Sequence, residues 1–225
     1  MSQVSKLKKQ LRANLRTTIK ITFHTQYALN LIEGTDAKKH PHKFFIIGLL
    51  GFASKIKTVK READNKNPYA RYYYQQAEII LDKAKVFFEK THQECEATFK
   101  DAENVGITLS IAETENPVER EFSFKVDLCY QAVILLAKYD ICIRKLQAAK
   151  QTGFMSNNAT NNKIEKMSKL MRQLFHSLEP YKNHSVTIED IKEGNEKAKL
   201  AYEAMGVIPG LDLDKLIYAT PPPPL

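Results

Sequence analysis

Thr18, Lys20 and Thr22 alternate with Ile19, Ile21 and Phe23. In an extended chain this spacing puts three hydrogen-bonding side chains on one face and three apolar ones on the other. Hydroxyls and an ammonium so arrayed can hydrogen-bond base-pair edges in a major groove, where each pair presents its own donor and acceptor pattern. An edge strand with one wet face shows the same alternation without any ligand. Other reactive groups are less organised. His40 and His42 flank Pro41, but no cysteine or acid stands beside them at ligand spacing. Glu78 with Asp82, and Glu189 with Glu193, sit next to lysines and read as solvated helix faces. Tyr72-Tyr73-Tyr74 has rings that can stack on nucleobases, yet at the start of an amphipathic helix it reads as boundary packing. There is no Walker loop, dinucleotide-binding glycine fingerprint, HExxH or GxSxG elbow. The expectation is no enzyme, no cofactor and no metal.

Charge is segregated. Of 34 Lys and Arg and 26 Asp and Glu, residues 1–60 hold twelve basic residues and two acids, Glu33 and Asp36. That quarter carries +10, and the remaining 22 basic and 24 acidic residues leave −2. A positive surplus confined to one end suggests a contact surface for phosphates, or else a solubilising arm. Cys95, Cys129 and Cys142 are odd in number and far apart, as expected for small apolar residues in a reducing compartment. No apolar run approaches the ~20 residues that span a bilayer, and no secretory signal is visible. A cytoplasmic protein without membrane contact is expected.

These side chains need elements to position them. Residues 1–16 read as a basic arm, with Leu7, Leu11 and Leu15 on one helical face. The alternating strand follows. Thr25 is a candidate N-cap for a short helix through Ile32 that ends near Gly34. Pro41 suits the first turn of a second helix, with Phe44, Ile47, Leu50 and Ile56 toward one side and a basic end through Arg61. Asn67-Pro68 opens a long helix to about Phe99. A β-hairpin is expected from Ile107–Ile111 and Glu121–Lys125 around Asn116-Pro117. Leu128–Lys150 is apolar on most sides and reads as the central helix, ended by Gly153. Asn158 or Thr160 starts another, and Thr187 with Asp190 forms a capping box for a last helix that stops at Gly206. Pro221–Pro224 is a polyproline tail.

The expected fold is mainly α: an N-terminal strand-helix-helix, ribbon-helix-helix-like, followed by a helical bundle with a small β-hairpin. Its divisions are residues 1–16, a basic arm; 17–64, the DNA-binding segment; 65–210, a helical extension; and 211–225, a Pro-rich tail. In a ribbon-helix-helix protein two chains pair one strand each, and the ribbon enters the major groove of double-stranded DNA. Thr18, Lys20 and Thr22 would face the bases, with Ile19, Ile21 and Phe23 over the dimer core. The second helix would aim amides near His42 and Lys43 at a phosphate. Arg12 and Arg16 would add backbone contacts.

Several stretches together resemble a family. They are Ile21-Thr22-Phe23-His24-Thr25-Gln26-Tyr27-Ala28 with Leu31, Asn67-Pro68-Tyr69-Ala70, and the run from Tyr130 through Asp140. Ala204-Met205-Gly206-Val207-Ile208-Pro209 adds a fourth. Their order over residues 18–210 is similar to the AcaB-like family of integrating conjugative elements and conjugative plasmids. The resemblance implies a homodimeric ribbon-helix-helix-type transcriptional regulator of transfer genes, working with other transfer-regulation proteins. Tyrosines stand here after Asn67-Pro68 where relatives are expected to include Trp, and the operator does not carry over. An alternative is a non-enzymatic adaptor of the transfer machinery that binds protein partners through its helical body.

Overall fold

The computed structural model describes residues 17–35 and 46–209. The described elements run β1 (Ile19–Phe23), α1 (Gln26–Glu33), α2 (Leu49–Asp64), α3 (Pro68–Asn104), β2 (Val118–Phe122), α4 (Asp127–Gln151), α5 (Asn157–His176), α6 (Ile188–Glu193) and α7 (Glu196–Met205). The protein is mainly helical, and strand, helix, helix is the order of the first three described elements.

Local signals account for most boundaries. The Thr25 hydroxyl accepts the Ala28 N–H at 3.3 Å and caps α1. Asn67 accepts the Ala70 N–H at 3.1 Å, and Pro68 occupies the first turn of α3. Helix α4 buries Leu135, Leu136, Tyr139, Ile143 and Leu146, as expected of a central helix, but Ile134 and Ile141 reach solvent. One apolar core runs from Phe23 through Phe52, Phe88 and Tyr139 to Phe175. At its centre Phe88 stacks on Tyr139 with centroids 5.9 Å apart, and the Tyr139 hydroxyl lies 2.7 Å from Ser168 Oγ.

Five local readings are corrected. The expected hairpin does not form: β2 pairs antiparallel with β1, across almost a hundred residues, and residues 107–111 are outside any strand. In this pairing Val118 and Phe122 extend the apolar face of Ile19, Ile21 and Phe23, which a hairpin within 107–125 would leave uncovered. The second helix begins at Leu49, because Thr35 and Ile46 form an antiparallel bridge and Gly48 is extended. The proposed start at Pro41 lies outside the described residues. Leu50 is exposed, and Leu49, Phe52, Ile56 and Val59 make the buried stripe instead. Ser156, not Asn158 or Thr160, caps α5. The Thr187–Asp190 capping box is present, but its helix ends at the left-handed Gly194, and Asn195 caps a separate α7 up to Gly206.

Candidate nucleic-acid interface

Alternation in β1 becomes two distinct faces. Ile19 and Ile21 are half-buried and Phe23 is buried, its ring edge-on to Phe122 at 6.3 Å. Thr18, Lys20 and Thr22 are exposed. The apolar face of the ribbon therefore lies on the chain's own core, where the sequence reading assigned it to a dimer. One edge of β1 is taken by β2, and the other has no strand beside it among the described residues.

Register decides what surrounds the three polar side chains. Lys20 stands opposite Glu121 and Thr22 opposite Glu119. Directly opposed residues share a face, so the wet side of the ribbon carries two carboxylates with Lys20. The Lys20 ammonium is 2.8 Å from Glu119 Oε1. Hydrogen bonding and charge from Glu119, with a smaller contribution from Glu121, raise the Lys20 pKa and keep it protonated. On the strand's other side Arg120 meets Glu33 at 3.5 Å.

The ribbon is latched to the bundle by a buried carboxylate. Asp140 of α4 accepts the His24 N–H at 3.1 Å, the Thr25 N–H at 2.9 Å and the Thr25 hydroxyl at 2.7 Å. It is 2% exposed, so these donors replace water at a site where an unpaired charge would be costly. A second tie holds the strand entry. The Tyr130 hydroxyl accepts the Phe124 N–H at 3.0 Å and donates to the Thr17 carbonyl at 2.5 Å.

The loop between α1 and α2 is pinched at its base. Thr35 N–H donates to Ile46 O at 2.8 Å, and Ile46 N–H returns to Thr35 O at 3.3 Å. Gly34 has φ 72°, and a Cβ there would lie 2.4 Å from Ile46 O. Only glycine fits both the left-handed conformation and the close approach. The Ile47 N–H donates to His176 Nε2 at 3.1 Å, tying the returning chain to the end of α5.

Of the seven residues that sequence reasoning assigned to DNA, the structure brings Thr18, Lys20 and Thr22 to one exposed face. Arg12, Arg16, His42 and Lys43 lie outside the described residues. Sequence reasoning missed Glu119 and Glu121. Glu119, Arg120 and Glu121 are three charged residues in a row and all exposed, so the segment shows no apolar–polar alternation, and nothing local named β1 as its partner. Among the described residues no helix is long and apolar enough to cross a membrane, and no cluster of His, Cys, Asp and Glu could hold a metal ion.

The described residues thus form a mainly helical body that carries a two-stranded ribbon with one exposed polar face. The profile of the family described as Transcriptional regulator AcaB matches residues 12–215. The chain belongs to the AcaB family of transcriptional regulators. Its fold is similar to that of a crystal structure of selenomethionine-containing AcaB from uropathogenic E. coli. The TM-score is 0.59 at 11% identity, covering 92% of this chain and 99% of that one. No curated protein matches the sequence.

Proposed function

We propose that the chain is a cytoplasmic, non-enzymatic regulator that binds double-stranded DNA and controls conjugative transfer genes of a mobile element. Two copies pair through the free edges of β1, and the resulting ribbon enters the major groove. Thr18, Lys20 and Thr22 then meet base edges. Arg12, Arg16, His42 and Lys43 contact phosphates and set the register. The division of the chain into arm, strand-helix-helix, helical extension and tail follows the same reading. The observation that carries it is the exposed polar face of β1, with an edge that has no strand beside it among the described residues, in a family of transcriptional regulators. Both members of the Lys20–Glu119 pair are exposed, so Lys20 exchanges its partner for a base at small cost. Glu119 and Glu121 would reject bases and phosphates that bring no donor toward them.

Genome-wide recovery of DNA bound in cells carrying the element tests this, with a sharp peak upstream of transfer genes as the expected result. On the recovered site Lys20→Ala should lower discrimination against random duplex about tenfold. Arg12→Ala should weaken all duplexes about equally. Unchanged discrimination in the Lys20 variant removes the strand from the role of reader.

The adaptor reading draws on Ile79 and Val86 of α3 and Ile134 and Ile141 of α4, which are exposed at seven-residue spacing. It predicts that random competitor DNA abolishes binding to any promoter fragment.

A further inference from the structure

A cavity of about 270 Å³ opens between α2 and the segment that joins β2 to α4. Ser54 and Lys57 of α2 line one side, and Ser123 and Lys125 line the other. Among the described residues no carboxylate lines it. Among the described residues neither lysine has an ion-pair partner. Asp127, the nearest acid in sequence to Lys125, accepts the Tyr74 hydroxyl at 3.3 Å and is not part of the lining. The Cys129 thiol does line it, but burial pushes its pKa up to about 12, so it adds no negative charge. Helix α4 starts at the same place, but Asp127 stands in its first turn and the Cys129 N–H already donates to Val126 O at 3.1 Å, so the cavity's positive charge comes from the two lysines. Ala53, Phe124 and Val126 make much of the lining apolar, and Lys57, Lys125, Ser54 and Ser123 are its charged and hydroxyl-bearing residues, the types that bind a tetrahedral oxyanion.

Position identifies the source of that anion. Phe124, which also lines the cavity, is bound through the Tyr130 hydroxyl to Thr17, the first described residue after the basic segment 1–16. Ile19 opposite Phe122 brings the start of β1 alongside the same segment. The hollow thus flanks the end of the ribbon, where a groove reader meets the sugar-phosphate backbone.

We propose that this cavity seats a backbone phosphate of duplex DNA, with Lys57 and Lys125 as its cations and Ser54 and Ser123 as hydroxyl donors. The assignment rests on the DNA-binding reading above and deepens it by adding a phosphate site built from α2 and the β2–α4 segment.

The test uses the full chain and a labelled random-sequence duplex, because a phosphate contact is independent of sequence. The slope of log affinity against log salt counts phosphates at about 0.9 each. In Lys57→Gln/Lys125→Gln the slope should be shallower by about that amount, with several-fold weaker binding at low salt. The comparison variant Lys83→Gln/Lys90→Gln removes two exposed lysines of α3 and should keep the parental slope. Equal slopes in parent and cavity variant, or an equal loss in the comparison variant, overturn the cavity and leave DNA binding standing. A parent protein that binds no duplex at all overturns both. Inorganic phosphate forms a separate arm at constant ionic strength. Saturable perturbation of Lys57 and Lys125 resonances by phosphate, with an unchanged duplex slope, would mark a small-anion site and overturn the DNA assignment.

Discussion

The α3–α4–α5 bundle and the β1–α1–α2 quarter share one apolar core, and the quarter adds polar ties to its backbone. In the bundle, buried rings and aliphatic chains interlock around Phe88 and Tyr139. Several of its lysines, exposed or buried, have acidic partners across helices, among them Lys138 with Glu89, the buried Lys145 with Glu96, and Lys163 with Glu94. The N-terminal quarter also buries Phe23, Leu31, Phe52 and Ile56, and to these it adds ties that involve the backbone: Asp140 on His24 and Thr25, His176 on Ile47, and the Gly34–Ile46 approach. Apolar packing is tolerant in detail and large in sum, whereas a few directional bonds place a short segment accurately at modest total energy. A surface that must present side chains to a ligand gains from the second kind of attachment.

Substitutions in each region can break this contrast, starting with the largest effect. Phe88→Ala should cost about 4 kcal/mol in global stability, measured by urea unfolding, because the ring is fully buried and its loss leaves a cavity. Asp140→Ala should cost about 3 kcal/mol, since three donors lose their acceptor in a buried place. Its signature is local: amide exchange should accelerate at His24 and Thr25 well before it does in α4. Uniform acceleration in both regions would show that the quarter and the bundle open as one unit. Gly34→Ala should cost about 2 kcal/mol, through left-handed strain and collision with the Ile46 carbonyl. Its amide exchange should quicken first at Thr35 and Ile46.

The smallest effect depends on pH and lies outside both regions. Hydrogen bonds from Asn195 and from the Thr187 backbone and hydroxyl lower the Asp190 pKa from 3.8 to about 2. A depressed carboxylate pKa stabilises the folded state above the unfolded value, and that contribution fades as pH falls through 3.8 toward 2. The α6–α7 corner should therefore loosen over this interval, seen as faster exchange at Thr187 and Asp190. Asp190→Asn should remove the pH dependence. If the corner keeps its protection at pH 2, the capping box is not what holds it.

How far the fold was legible depended on the range of each signal. Thr25, Asn67-Pro68 and the Thr187–Asp190 pair announce helix starts because a cap acts within four residues. The alternation of β1 was equally local, and so were the exposed positions of Thr18, Lys20 and Thr22. The partner of β1 was not legible. The local reading placed strands at Ile107–Ile111 and Glu121–Lys125, whereas the strand that forms is Val118–Phe122, whose Phe122 meets Phe23 edge-on at 6.3 Å. The cavity beside Lys57 and Lys125 was likewise hidden, since 68 positions separate those lysines and neither sits in a motif.

Side-chain order along the chain determined a helical protein with a basic end and one two-faced strand, since periodicity and charge are carried by neighbouring residues. Tertiary structure alone decided which acids stand beside Lys20, which lysines keep a free charge, and which strand edge stays open. Pairing of distant segments sets those three properties, and no short window of residues contains both partners.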